Sequence, residues 1–202
     1  MSGTPLSEIP LSSKADFTQL ITDLKKIKIE GNSLYKKKKL EEAKEKYKEG
    51  IDLFAKESPS INKERGSNDQ CKDVLELYKK ILSNMALCFY KEGNYEKAIE
   101  YDLKIIEDFP KFGKSIVRLF NSYSSLNKNQ QAVYYGDLFL ELDQETRDKF
   151  KGTQDKVKDE KDRLKKIQKA EKERIAKEFA KYSVPVLILL LAILTFLLFK
   201  KK

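Results

Sequence analysis

The sequence predicts an all-α protein: three stacked helix hairpins, a long charged C-terminal helix and a single C-terminal transmembrane helix. Three observations lead there. Segments carrying a small residue at a fixed place recur 34 residues apart. Apolar residues inside those segments fall at helical spacing. Val184 to Phe199 holds 14 apolar residues out of 16 and no charge.

The elements follow in chain order. Met1 to Ser13 is polar and lacks the apolar stretch of a signal peptide, so residues 1–13 are expected to be a disordered tail. Residues 14–146 hold the repeats: LEEAKEKY around Ala43, YEKAIEYD around Ala98 and NQQAVYYG around Ala132. Ala98 and Ala132 are 34 residues apart, whereas Ala43 and Ala98 are 55 apart, one period plus 21. The polar stretch KESPSINKERGSNDQ, Lys56 to Gln70, is read as an inserted loop carrying most of that excess. Ile27, Leu34, Leu40, Tyr47, Ile51 and Phe54 keep helical spacing, broken by a turn at Lys36 to Lys39. The repeats then span about 24–57, 79–112 and 113–146. A single hairpin cannot bury its apolar face alone, so the three stack into one array.

Residues 147–182 are mostly charged and form a helix that caps the last repeat and continues as a stalk. Asp159/Arg163, Asp162/Lys166 and Glu173/Lys177 stand at i,i+4 spacing, and Val157, Leu164, Ile167, Ile175 and Phe179 make a sparse apolar stripe. Residues 183–202 read as a tail anchor. At 1.5 Å per residue the apolar run covers about 24 Å, a little short of a hydrocarbon core of roughly 30 Å. Lysines on both sides can reach the headgroups. The segment is apolar all round, which disfavours the alternative of an amphipathic core helix.

Composition narrows the function. The chain has 41 Lys+Arg, 32 Asp+Glu, a net charge of +9 and no His, which removes imidazole acid–base and metal chemistry. Cys71 and Cys88 make neither a disulfide framework nor a zinc site, and Cys88 reads as a small core residue. No GxxxxGK[ST] loop is present, and the aromatics occupy repeat core positions instead of a stacking platform. An enzyme, a cofactor, a metal site and a nucleic-acid partner are all disfavoured.

The 34-residue period resembles the tetratricopeptide repeat family. Gly31, Leu34, Leu40, Ala43 and Tyr47 match its size pattern, as do Ala86, Phe89, Tyr95, Ala98 and Pro110. The third repeat fits at Tyr123, Ala132 and Phe139 but has Phe120 where a small residue is usual, which suggests a wider local helix contact. The resemblance implies a right-handed solenoid of three tetratricopeptide hairpins. It also covers five polar positions on the first helices of the repeats: Lys28 and Asn32, Asn84, and Lys114 and Arg118. These are similar to the two-carboxylate clamp of chaperone cofactors, which binds the C-terminal Glu-Glu-Val-Asp of Hsp90- and Hsp70-family chaperones. By that resemblance Lys28, Asn32 and Asn84 hold a main-chain carboxylate, Lys114 meets the aspartate side chain, and Arg118 grips a group upstream. Taken singly each has a blander reading, the lysines as solvated surface residues and Asn32 as a surface amide. Arg118 is more telling, as one of only five arginines.

The expectation is therefore a membrane-anchored, non-catalytic co-chaperone. Its partners would be chaperone C-termini and, through residues 184–199, a lipid bilayer. The mitochondrial outer membrane is slightly favoured over the endoplasmic reticulum. The alternative is a tail-anchored scaffold or import receptor that reads internal peptide segments.

Overall fold

The computed structural model describes the backbone of residues 15–199 and the side chains of residues 15–181 and Ile193. The expected disordered tail, residues 1–13, lies outside the described residues. All regular structure among the described residues is helical: α1 (Thr18–Lys36), α2 (Leu40–Glu64), α3 (Asp69–Lys91), α4 (Tyr95–Asp108), α5 (Gly113–Ser125), α6 (Asn129–Leu140), α7 (Gln144–Asp148) and α8 (Thr153–Phe199). The first seven belong to one compact unit ending at Phe150, and α8 to a second.

In the first unit α1/α2, α3/α4 and α5/α6 form hairpins, and α3 also packs against α1 and α5. The small residues that mark the period, Ala43, Ala98 and Ala132, are all fully buried. Gly31 on α1 faces the ring of Tyr47 on α2, where an added Cβ would fall 2.8 Å from Tyr47 Cδ1. The third hairpin inverts these sizes: Phe120 stands at the Gly31 position and Gly136 at the Tyr47 position, and both are buried. Bulk lost on one helix is regained on the other, a volume-conserving exchange of the kind packed interiors tolerate.

Each hairpin turns through a left-handed residue. Lys38, Gly93 and Asn127 have φ of 62°, 78° and 55°, and each precedes the marker alanine by five positions. The next residue then donates its backbone N–H to a carbonyl five residues back: Lys39 to Leu34, Asn94 to Phe89 and Lys128 to Tyr123. These bonds satisfy orphan carbonyls at the helix ends in the manner of Schellman caps.

The segment 56–70 is not the expected loop. Helix α2 runs on to Glu64, only a short turn follows, and α3 begins at Asp69. The 21-residue insertion is divided between two helices, for α2 has 25 residues against 14 in α4, and α3 has 23 against 13 in α5. Polar composition hid a sparse apolar stripe: Ile61, Cys71 and Val74 are buried within the extension. Pro59 lies inside α2 and lacks an N–H to donate, and the hydroxyl of Ser58 instead donates to the Ala55 carbonyl at 2.9 Å. The chain leading into α1 is fastened to this extension. Ala15 N–H donates to Glu64 Oε1 (2.7 Å), Phe17 N–H to Gln70 Oε1 (2.8 Å), and the Phe17 ring is buried.

In the second unit, α8 follows Gly152 (φ 81°) and its backbone is helical without a break to Phe199. Its ion pairs include Arg163–Glu160 and Lys165–Asp162, both at i,i+3 spacing. Ile167, Ile175 and Phe179 are exposed. The expected tail anchor, residues 183–202, falls outside the described side chains apart from Ile193. Among the described residues no helix is long and apolar enough to cross a membrane.

Candidate functional site

Helices α1, α3 and α5 lie side by side and carry all five expected site residues. Asn32 and Asn84 are brought together: Asn84 Nδ2 donates to Asn32 Oδ1 at 2.7 Å. The same oxygen accepts the Tyr47 hydroxyl at 2.8 Å. Two donors converging on Oδ1 fix the Asn32 amide so that its Nδ2 points elsewhere, with no hydrogen bond among the described residues. Burial pushes the Tyr47 phenol well above its ordinary value, so it stays a neutral donor. Asn32, Asn84, Tyr47, Tyr35, Leu87 and Lys36 line a cavity of about 200 Å³.

Lys28 stands one helical turn before Asn32, and Lys114 one turn before Arg118. Neither lysine has an ion-pair partner among the described residues, and Lys114 is exposed. Both are cations with donors to offer.

Arg118 is placed differently from the expectation of a cation open to ligand. It is 8% exposed, and its fork is occupied from within the chain. Nε donates to Asp102 Oδ2 at 2.7 Å, and Nη2 donates to Asp102 Oδ1 at 2.6 Å and to Ser83 Oγ at 3.2 Å. Asp102 is fully buried on α4, where desolvation raises its carboxyl against the opposing pull of Arg118. The physical reason is compensation, since a buried carboxylate needs a paired, hydrogen-bonded cation. Only the Nη1 edge of Arg118 makes no hydrogen bond among the described residues. Asp102 and Ser83 escaped the sequence reading, and Tyr47 was read only as a repeat core residue, not as part of the site. Asp102 left a signal, because it sits four residues after Ala98 on the face that buries Ile105, an acid in an apolar stripe.

No family model matches the chain, and no curated protein matches it. Solved structures do. The chain is similar to the tetratricopeptide-containing C-terminal domain of a Plasmodium falciparum FK506-binding protein, with a TM-score of 0.55 at 22% identity over 73% of this chain and 97% of that one. It is also similar to the Hsp90 co-chaperone Cns1 from Saccharomyces cerevisiae, with a TM-score of 0.56 at 21% identity. The fold is of the tetratricopeptide type. The second match covers 81% of this chain but only 46% of Cns1. The Asn32–Asn84 pair and the two lysines stand on the first helices of the three hairpins.

Proposed function

We propose that the chain is a non-catalytic adaptor whose groove captures the acidic C-terminus of an Hsp90- or Hsp70-type chaperone. The observation that carries this reading is the Asn32–Asn84 hydrogen bond, which turns the Asn32 amino group away from Asn84 and leaves it open as a donor. A main-chain carboxylate seated there would take Asn32 Nδ2 and Lys28, the aspartate side chain would take Lys114, and Arg118 would offer only its Nη1 edge. Charge-assisted bonds of this kind contribute roughly 1.5–3 kcal/mol each. The likeness to an Hsp90 co-chaperone supports the choice of partner. The run Val184 to Phe199 supports the further reading that residues 183–202 anchor the adaptor in a membrane, with the mitochondrial outer membrane favoured over the endoplasmic reticulum. Anchoring would then raise the local chaperone concentration at that surface.

The test is calorimetry of a Glu-Glu-Val-Asp peptide on the 202-residue chain in neutral detergent. Lys28→Ala with Lys114→Ala is expected to weaken binding by about 100-fold, and amidating the peptide C-terminus by a similar factor. Arg118 is left intact because Asp102 depends on it. Equal affinity for free and amidated peptides would sink the reading in favour of a groove that takes internal segments.

A further inference from the structure

Helix α8 carries a second period, shorter than that of the hairpins. Residues 156–166 read KVKDEKDRLKK and residues 167–177 read IQKAEKERIAK. Five of the eleven positions are identical, and two more keep their chemistry, Asp162 with Glu173 and Leu164 with Ile175. Eleven residues make about three turns, so such a repeat returns its positions to one nearly straight stripe. In the first copy that face is covered, with Val157 1% and Glu160 8% exposed and Leu164 half-buried. In the second copy every equivalent is open: Gln168 and Glu171 are exposed, and Ile175 is 56% exposed. Phe179, one repeat after Gln168, is 73% exposed. A stripe covered in one copy and bare in the next marks an unfilled contact.

We propose that this second repeat, together with Phe179, pairs in parallel with the same face of a second copy of the chain. The edges of the stripe decide the partner and its direction. At about 100° per residue, Leu164, Gln168, Ile175 and Phe179 share a narrow arc of α8, with Glu171 on one side and Lys172 on the other. Glu178 joins the acidic edge, and Arg174 lies further from the seam. Neither Glu171 nor Lys172 has an ion-pair partner among the described residues. A two-fold axis parallel to the helices sets each acidic edge against the other copy's basic edge, so Glu171 meets Lys172 twice at one level. An antiparallel pair would set lysine edge against lysine edge. Exposed pairs of this kind choose partner and direction more than they add affinity, and Ile175 and Phe179 supply the apolar contact. The pairing stands whatever the groove of the first unit binds.

Cysteine cross-linking of the 202-residue chain in neutral detergent, with micelles in excess, tests it. The unaltered chain, with Cys71 and Cys88 buried, gives the background. Gln168→Cys and Phe179→Cys are each expected to link to themselves across the two-fold under mild oxidation. Lys166→Cys and Glu173→Cys, on the opposite side of α8, are expected to stay monomeric. All four positions are exposed, so folding is not at stake. Only a parallel pair links two self-matched positions a full repeat apart. Glu171→Lys or Lys172→Glu, added to Phe179→Cys, is expected to weaken the link several-fold by setting like charges together. Mixing those two variants is expected to restore it as a mixed dimer, because each altered edge then meets its opposite. Equal linking at Lys166→Cys, no linking at Gln168→Cys and Phe179→Cys, or a link indifferent to the charge variants overturns the proposal. A monomeric chain whose Phe179→Cys is shielded from a water-soluble maleimide only on phosphatidylserine vesicles overturns it in favour of a lipid surface.

Discussion

The guanidinium of Arg118 meets the carboxylate of Asp102 edge to edge, with Nε 2.7 Å from Oδ2 and Nη2 2.6 Å from Oδ1. The pair ties the third hairpin to the second, and the bond from Nη2 to Ser83 Oγ adds the helix that carries Asn84. Arg118→Ala would strand a fully buried carboxylate. Loss of one partner in such a pair costs about 3–5 kcal/mol, and urea unfolding of the variant is expected to show a loss of that size. Arg118→Met combined with Asp102→Leu is expected to recover most of it, because neither charge is then buried alone. Equal stability of wild type and Arg118→Ala would show that the pair contributes nothing.

Lys38 offers the opposite case. With φ at 62° it adopts a conformation that costs an ordinary L-residue about 1–2 kcal/mol and glycine little. Lys38→Gly is expected to stabilise the first unit by about 1 kcal/mol, less the added flexibility of the unfolded chain. Thermal unfolding checks this, and a lower melting temperature would mean that the lysine side chain holds the turn.

Both cysteines are buried, and burial pushes the Cys88 thiol up to about 11 and the Cys71 thiol above its ordinary value. Neither is expected to react with Ellman's reagent at pH 8 in the folded protein, and both are expected to react in urea. The sign of the pH effect follows. Because the folded chain holds the Cys88 proton more tightly, its contribution to stability is complete below the ordinary thiol value near ~8.5. It declines as pH rises toward 11. Chemical denaturation across that interval reads it.

Local rules made much of the repeat unit legible before any coordinates. The marker residues Ala43, Ala98 and Ala132 and the turn at Lys36 to Lys39 all fall where the spacing put them. What stayed hidden depends on partners distant in sequence. Lys56 to Gln70 looks like a loop because its polar residues outnumber its apolar ones, and only packing shows that Ile61 within it and Cys71 just after it face inward. Phe120 looks anomalous until Gly136 is aligned with Tyr47. The same holds at the candidate site: helical spacing puts Lys28 beside Asn32, but nothing local joins Asn32 to Asn84 across 52 positions. Arg118 stood out by its rarity, yet what occupies its fork lies on another helix, at Asp102.

The division of the insertion between α2 and α3 has its own consequence. The two arms gain 11 and 10 residues, so at 1.5 Å per residue each is longer by about 15 Å. Nearly matched lengths keep the two neighbouring helices side by side out to the turn between them, and Ile61, Cys71 and Val74 carry the inward stripe along the added part. Evolution or an engineer would have to lengthen or shorten the two arms together, because an arm that outgrew its neighbour would leave its inward residues facing water.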